Sequence, residues 1–198
     1  MGTVSNLLAG TVVIYRGPSG EALPELDDLT PPAVTVSPGG NWVAEGFTME
    51  DYELEYTPTF EPVKVNENNG PIKMVLVDEE ASFRFTLSEN DMTAWNHSIN
   101  ASTLTAQAAG IDVTAQDQLG VGDGSLTEYA YLLLGTSPEA GSRVIHIPKA
   151  VETGPVTFTF SKSHKPVSGI ELTILNDTTQ TAGERLFKVY DITAVASS

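Results

Sequence analysis

Apolar and polar residues alternate with a period of two along most of the chain, the pattern of strands with one buried and one wet face. Thr11 to Arg16 (TVVIYR) is a short β-prone run closed by the turn Gly17-Pro18-Ser19-Gly20. Asp51 to Thr57 alternates cleanly: Tyr52, Leu54 and Tyr56 point one way, Asp51, Glu53, Glu55 and Thr57 the other. Pro58 and Pro62 interrupt this run, and Val63 and Val65 resume it before Asn66-Glu67-Asn68-Asn69-Gly70. Proline cannot donate to a ladder, so the stretch is expected to be an edge strand or a protruding hairpin. Further strands are predicted at Ile72–Val77, Ala81–Leu87, Tyr129–Leu134, Arg143–Ile147, Val156–Phe160, Ile170–Leu175 and Leu186–Ile192.

One segment has helical spacing. Ser88 is a good N-cap, Asp91 completes an S-x-x-D capping pattern, and Glu89 and Asp91 suit the positive end of a helix dipole. Met92, Trp95 and Ile99 fall on one stripe, which should pack onto a sheet, and the helix should end near Ala101. Two stretches lack periodicity. Glu21 to Gly40 is rich in Pro and Gly and reads as an arm or loop; Thr103 to Thr127 is small, polar and Gly-rich and reads as a flexible loop. The count predicts a mainly β protein, a sandwich or barrel with one flanking helix, in a single domain spanning 1–198. No internal repeat stands out.

Composition narrows the partners. The chain has 198 residues, enough for one sizeable core, and 40% of them are hydrophobic, which is a globular proportion. Its formal charge of −16 argues against a nucleic-acid binder of the usual kind, which needs Lys and Arg to neutralise phosphates. There is no cysteine, so disulfides and thiolate metal sites are excluded. No secretory leader is expected from the first residues, and the apolar runs are too short for a membrane anchor. The glycosylation sequons at Asn96, Asn100 and Asn176 therefore carry little weight.

Candidate chemistry is sparse. His97, His146 and His164 have no metal-ligand spacing, and no metal or other cofactor is expected. The nucleophile turn G-x-S-x-G is absent. Gly120-Val-Gly-Asp-Gly-Ser125 lacks both the lysine of a phosphate loop and the alternating Asp ligands of a calcium loop. A glycosidase needs only two carboxylates in a cleft, and a chain with 26 acidic residues offers too many pairs for that to discriminate. Trp42 and Trp95 are read as core residues before a sugar-binding groove. No enzyme activity is expected.

The residue row that does ask for an explanation is Gly46 to Gly70. It carries Glu50, Asp51, Glu53, Glu55, Glu61 and Glu67 against one base, Lys64. Glu53 and Glu55 share a strand face, where like charges repel, so that face should be wet or meet a basic partner.

The order of features resembles the major tail (tail tube) proteins of long-tailed, non-contractile bacteriophages. The resemblance is carried by TVVIYRGPSG, the Pro-rich arm, Trp42, the Gly46–Thr48 turn, the acidic segment with Tyr52 and Tyr56, ASFRFTL, SENDMTAWNHSIN, YAYLLLG, the Arg143–Pro148 strand and VTFTFSKS. It spans about Val12 to Ile192 and rests on order and texture, with no counterpart for Thr103–Thr127. It implies a β-sandwich subunit that closes into rings, hexameric in that family, which stack into a tube through which DNA passes without specific binding. Implied partners are copies of itself and the tape-measure, tail-tip and tail-terminator proteins; the implied location is the virion tail, assembled in the host cytoplasm. By position, Glu45 to Gly70 would be the protruding hairpin that contacts the next ring or subunit, through Glu50, Asp51, Glu53, Glu55, Tyr56, Glu61, Lys64 and Glu67. On Ile170–Leu175, Ile170, Leu172 and Ile174 should enter the core, leaving Glu171 and Thr173 on a face that would line the lumen. An acidic wall suits a duct that must not hold DNA. Two other readings are a monomeric β-sandwich binding module for carbohydrate or calcium, and another virion part such as a tail terminator or decoration protein. Self-association separates the first of these from a tube subunit, and stacking separates the second.

Overall fold

A computed structural model of the chain describes residues 9–24, 39–45, 52–64, 70–87, 92–100, 102–109, 114–122, 124–136, 142–156 and 168–192. Ten strands and one helix lie among them: β1 (Ala9–Pro18), β2 (Val43–Ala44), β3 (Glu53–Val63), β4 (Lys73–Leu87), α1 (Met92–Ser98), β5 (Ser102–Gln107), β6 (Gln116–Val121), β7 (Tyr129–Thr136), β8 (Ser142–Glu152), β9 (Ser168–Ile174) and β10 (Lys188–Ile192). The protein is mainly β, a large antiparallel sheet with a single short helix, consistent with the expected sandwich.

The main sheet runs β2-β1-β7-β8-β9-β4-β3, with β10 paired to β8 off that path. The fork is at β8. Its first half, Ser142 to His146, pairs with β10, while Ala150 to Glu152 pairs with β9. The β1-β7-β8 arm and the β9-β4-β3 arm then share one core: Ile14, Leu133 and Ile147 meet Phe83, Phe85, Leu87 and Leu172. The strand period of two does the sorting. Ile14 enters this cluster, and its neighbour Tyr15 enters a second one on the reverse face with Trp42, Leu132 and Val144. Each fully buried Leu, Ile or Phe contributes about 1.5–3 kcal/mol.

Several expectations change at this level. Ile72–Val77 and Ala81–Leu87 are not separate strands but parts of one, β4, which carries Asp78, Glu79 and Glu80 without a break. Three acids in a row end a strand only if one face must be dry, and residues 73–80 are exposed throughout. Pro58 and Pro62 do not break β3 either, because β3 is the sheet's outermost strand. The segment read as a flexible loop at 103–127 contains a separate antiparallel hairpin, β5–β6, in register from Ser102↔Val121 to Gln107↔Gln116. Its strands are mostly wet on both faces, so the hydrophobic alternation that marks a strand is missing.

The helix ends before the expected position near Ala101. It ends at Ser98, four residues after Ala94, and the chain then turns, with Ile99 N–H donating to Trp95 O at 3.1 Å and Ser102 N–H to Ile99 O at 3.2 Å. It contacts β5, β6 and β9. Met92, Trp95 and Ile99 are half-buried, and Ser98 is buried. The cap residues Ser88, Glu89 and Asp91, the predicted strand at Val156–Phe160 from its second residue on, most of the Pro-rich arm, and His164 lie outside the described residues.

Candidate functional site

The functional candidate is a two-stranded ribbon that runs off the end of the sheet. From Ala81 to Leu87, β4 alternates buried and open residues, as a strand over a core should. Glu53 to Tyr56 of β3 lies beside it, with Leu54 paired to Phe83 and buried. Beyond this point both strands continue as a ribbon that is exposed among the described residues, with Phe187 against its base. Tyr56, Phe60, Val63, Ile72, Met74, Val75, Leu76 and Val77 are each 39–55% exposed.

Register assigns the faces. The pairs Leu54↔Phe83, Tyr56↔Ala81 and Pro58↔Glu79 continue the core face outward; after a bulge between Thr59 and Phe60, that face resumes as Phe60↔Leu76 and Pro62↔Met74. The opposite face carries Glu53, Glu55, Glu61, Asp78 and Glu80, together with Arg84 and Lys73. Near the body the ribbon is therefore amphipathic, apolar on the core side and acidic on the other. At its far end Val63 and Val75 make the second face apolar too.

The acidic face joins two groups of residues that the sequence treats separately. Glu171 of β9 pairs across to Arg84 of β4, which pairs to Glu53 of β3. Arg84 Nη2 donates to Glu171 Oε1 at 2.9 Å, and its Nη1 stands 4.0 Å from Glu53 Oε2. Glu55 and Thr173 line one open groove of about 460 Å³ with Thr57, Glu80 and Ser82. Thr173 also shares a 2.7 Å hydroxyl–hydroxyl hydrogen bond with Thr153. Glu53, Glu55, Glu61, Glu171 and Thr173 thus belong to one surface, whereas Tyr56 lies on the other face. As expected, Ile170, Leu172 and Ile174 are buried beneath Glu171 and Thr173. Lys64 is exposed just past β3, and Glu50, Asp51 and Glu67 lie outside the described residues. The predicted hairpin at Glu45–Gly70 is thereby corrected: its returning strand is Lys73 to Glu80, and Glu45 is buried elsewhere.

On the core side, the ribbon's base forms a second groove of about 390 Å³, lined by Tyr56, Glu79, Arg185, Leu186 and Phe187. Tyr56 meets Phe187 edge-on at 6.2 Å, and its hydroxyl donates to Glu79, which pushes the phenol pKa up.

A third feature was not predicted. A charged cluster sits at the edge of the main core, under α1. Glu45 is buried between Arg16 Nε at 2.7 Å and His97 Nδ1 at 2.9 Å. The Arg16 guanidinium also lies 4.3 Å from the centre of the Tyr129 ring, a cation–π arrangement. Glu152 completes the group with one buried, unpartnered oxygen, Oε1. Burial first, then the negative charge of Glu45, pushes its pKa up to about 8, against the pull of Arg16. Burial likewise raises Tyr131, with Glu45 and Glu152 adding to it. The cluster ties β1, the residue after β2, and α1 together. Its signal in sequence was parity: Arg16 follows Val12 and Ile14 on the inward face of its strand, and Glu152 follows Ala150.

His146 is also buried, in van der Waals reach of Trp42 at 5.9 Å between ring centres, and burial lowers its pKa. Among the described residues, no three His, Asp or Glu side chains gather as a metal site, and no helix is long and apolar enough to cross a membrane. No family model matches the chain, and no curated protein matches it.

Proposed function

We propose that this chain is a structural subunit that assembles with copies of itself, of the phage tail-tube kind: rings, hexameric by the resemblance, stacked into a duct through which DNA passes. The observation that carries the reading is the ribbon. An isolated two-stranded hairpin is marginal in water, and this one projects large apolar side chains from both strands. With side-chain areas of about 150–200 Å², those eight residues expose roughly 650 Å² over the ribbon's two faces together, against the ~800 Å² per partner of a stable interface. Such a surface needs a cover, and a self-assembling chain supplies one.

The acidic face supports the same reading. Glu53, Glu55, Glu80 and Glu171 give a wall that repels phosphates, as the lining of a DNA duct should. The partners are then neighbouring copies and the tape-measure, tail-tip and tail-terminator proteins, the location is the virion tail, and the role is architectural and not catalytic. Light scattering with negative-stain electron microscopy of the concentrated protein tests it. Stacked rings with a central channel are expected. A chain that stays monomeric at every concentration and binds a glycan or calcium would refute the proposal in favour of a binding module.

A further inference from the structure

Pro58 and Pro62 decide which side of the ribbon a neighbour can use. Both are paired in register, Pro58 with Glu79 and Pro62 with Met74. An antiparallel pair either exchanges two N–H···O bonds or faces away from its partner. Proline has no N–H, so both pairs are of the second kind, and their backbone groups point to the outer edge of β3. That edge therefore has donors at Leu54, Tyr56 and Phe60 but gaps at 58 and 62. A strand added there finds no continuous ladder beyond Tyr56. The acidic face is closed for another reason. Copies of a chain of charge −16 would set Glu55, Glu61, Asp78 and Glu80 against a surface of like sign, and Arg84 is already held by Glu171.

We infer that a second copy of this chain docks on the apolar face of the ribbon, over Tyr56, Phe60, Met74 and Leu76, and not along the outer edge of β3 or on the acidic face. The inference rests on the self-assembly reading and adds the contact surface to it. Beyond Glu79 at its base, the apolar face carries no charge: Pro58, Phe60, Pro62, Met74 and Leu76 follow in turn. At its base the face meets a groove, which Tyr56 and Glu79 line together with Leu186 and Phe187. The opposite, acidic face then stays wet in the assembly.

The absence of cysteine makes a direct test available. Leu76→Cys places a thiol on the apolar face and Thr59→Cys places one on the acidic face, both in the exposed half of the ribbon. Maleimide labelling rates are compared in dilute and assembled protein, and amide hydrogen exchange is followed at Tyr56 and Phe60. The expected result is labelling of Leu76→Cys slowed tenfold or more on assembly, with Thr59→Cys unchanged. Protection of Thr59→Cys with a reactive Leu76→Cys overturns the face assignment. So does strong new protection of the Tyr56 and Phe60 amides while Leu76→Cys stays reactive, since that is the mark of an added strand. Light scattering of the unsubstituted chain judges the assembly reading separately: a permanent monomer refutes that reading and this inference with it, whereas rings with the wrong thiol protected refute this inference alone.

Discussion

Glu152 makes the folded state sensitive to base. Its carboxyl is enclosed at the end of β8, with Oε1 unpartnered and the Glu45 carboxylate nearby, so the charged form is disfavoured and the pKa rises from 4.5 to about 8. In the unfolded chain the group ionises near its ordinary value. A carboxyl whose folded pKa is raised contributes stability that is complete below the unfolded pKa and is lost as pH rises through the folded one. The window is therefore pH 4.5 to about 8. At 1.36 kcal/mol per tenfold change in proton affinity, a difference of this size amounts to about 4–5 kcal/mol. That is a large part of the 5–15 kcal/mol that holds a typical domain. Glu152→Gln keeps the shape and cannot ionise. Denaturant unfolding of both proteins from pH 4 to pH 9 should show the variant gaining on the natural chain steadily to about pH 8 and holding that advantage above it. Titrating groups not coupled to Glu152 cancel in the difference. His146, lowered by burial, loses its contribution as pH falls below 6.5 in both proteins, and Asp177, lowered by its hydrogen bonds from Thr179, does so below 3.8. Two parallel stability profiles would refute the reasoning, because they would mean that Glu152 is solvated or paired in the folded protein.

Two other substitutions test the frame that carries the ribbon. Glu45→Ala removes the carboxylate paired with Arg16 beside Tyr129 and cuts the link to His97; a loss of about 3–5 kcal/mol is expected in denaturant unfolding, together with a shift of Trp95 fluorescence as α1 loosens. Gly154→Ala puts a Cβ 2.4 Å from Glu171 Cβ and 3.3 Å from its Cα, so β9 must move; a loss of about 1–3 kcal/mol is expected, and an unchanged unfolding midpoint would show that the turn after β8 can shift freely.

The sequence was most legible where one strand face is dry and the other wet. Phe83, Phe85 and Leu87, or Ile170, Leu172 and Ile174, announce their strands because burial selects every second residue. The same logic fails where both faces are alike. Residues 78–80 of β4 and the β5–β6 hairpin are mostly wet on both sides, so nothing forces alternation, and acids or small polar residues there look like loop. The charged cluster was hidden for a different reason. Arg16, Glu45, His97 and Glu152 come from four distant parts of the chain, and only the fold brings them within 3 Å of one another where they pair. Parity hinted at a charge turned inward, but not at its partner.

The ribbon's acids needed the register more than the sequence. Alternation placed Glu53 and Glu55 on one face of β3 and Glu171 and Thr173 on one face of β9, and no feature of either segment says that the two faces are the same. That follows from Arg84, which stands between Glu53 and Glu171 in the ladder. The consequence is physical. One guanidinium cannot balance the carboxylates around it, so this face gains by staying in water, where screening over about 8 Å limits their repulsion. The reverse face is in the opposite position: Phe60, Met74 and Leu76 gain by leaving water. Two faces of one ribbon with opposite demands fix the orientation of any assembly built from it, with the apolar side against protein and the acidic side toward solvent or a lumen. Reversing the demand at one point tests this. On the proposed self-assembly, Leu76→Glu charges the apolar face and should abolish whatever assembly light scattering finds for the natural chain, while Glu80→Gln on the acidic face should leave it intact; equal assembly of both variants would show that the ribbon is not the contact.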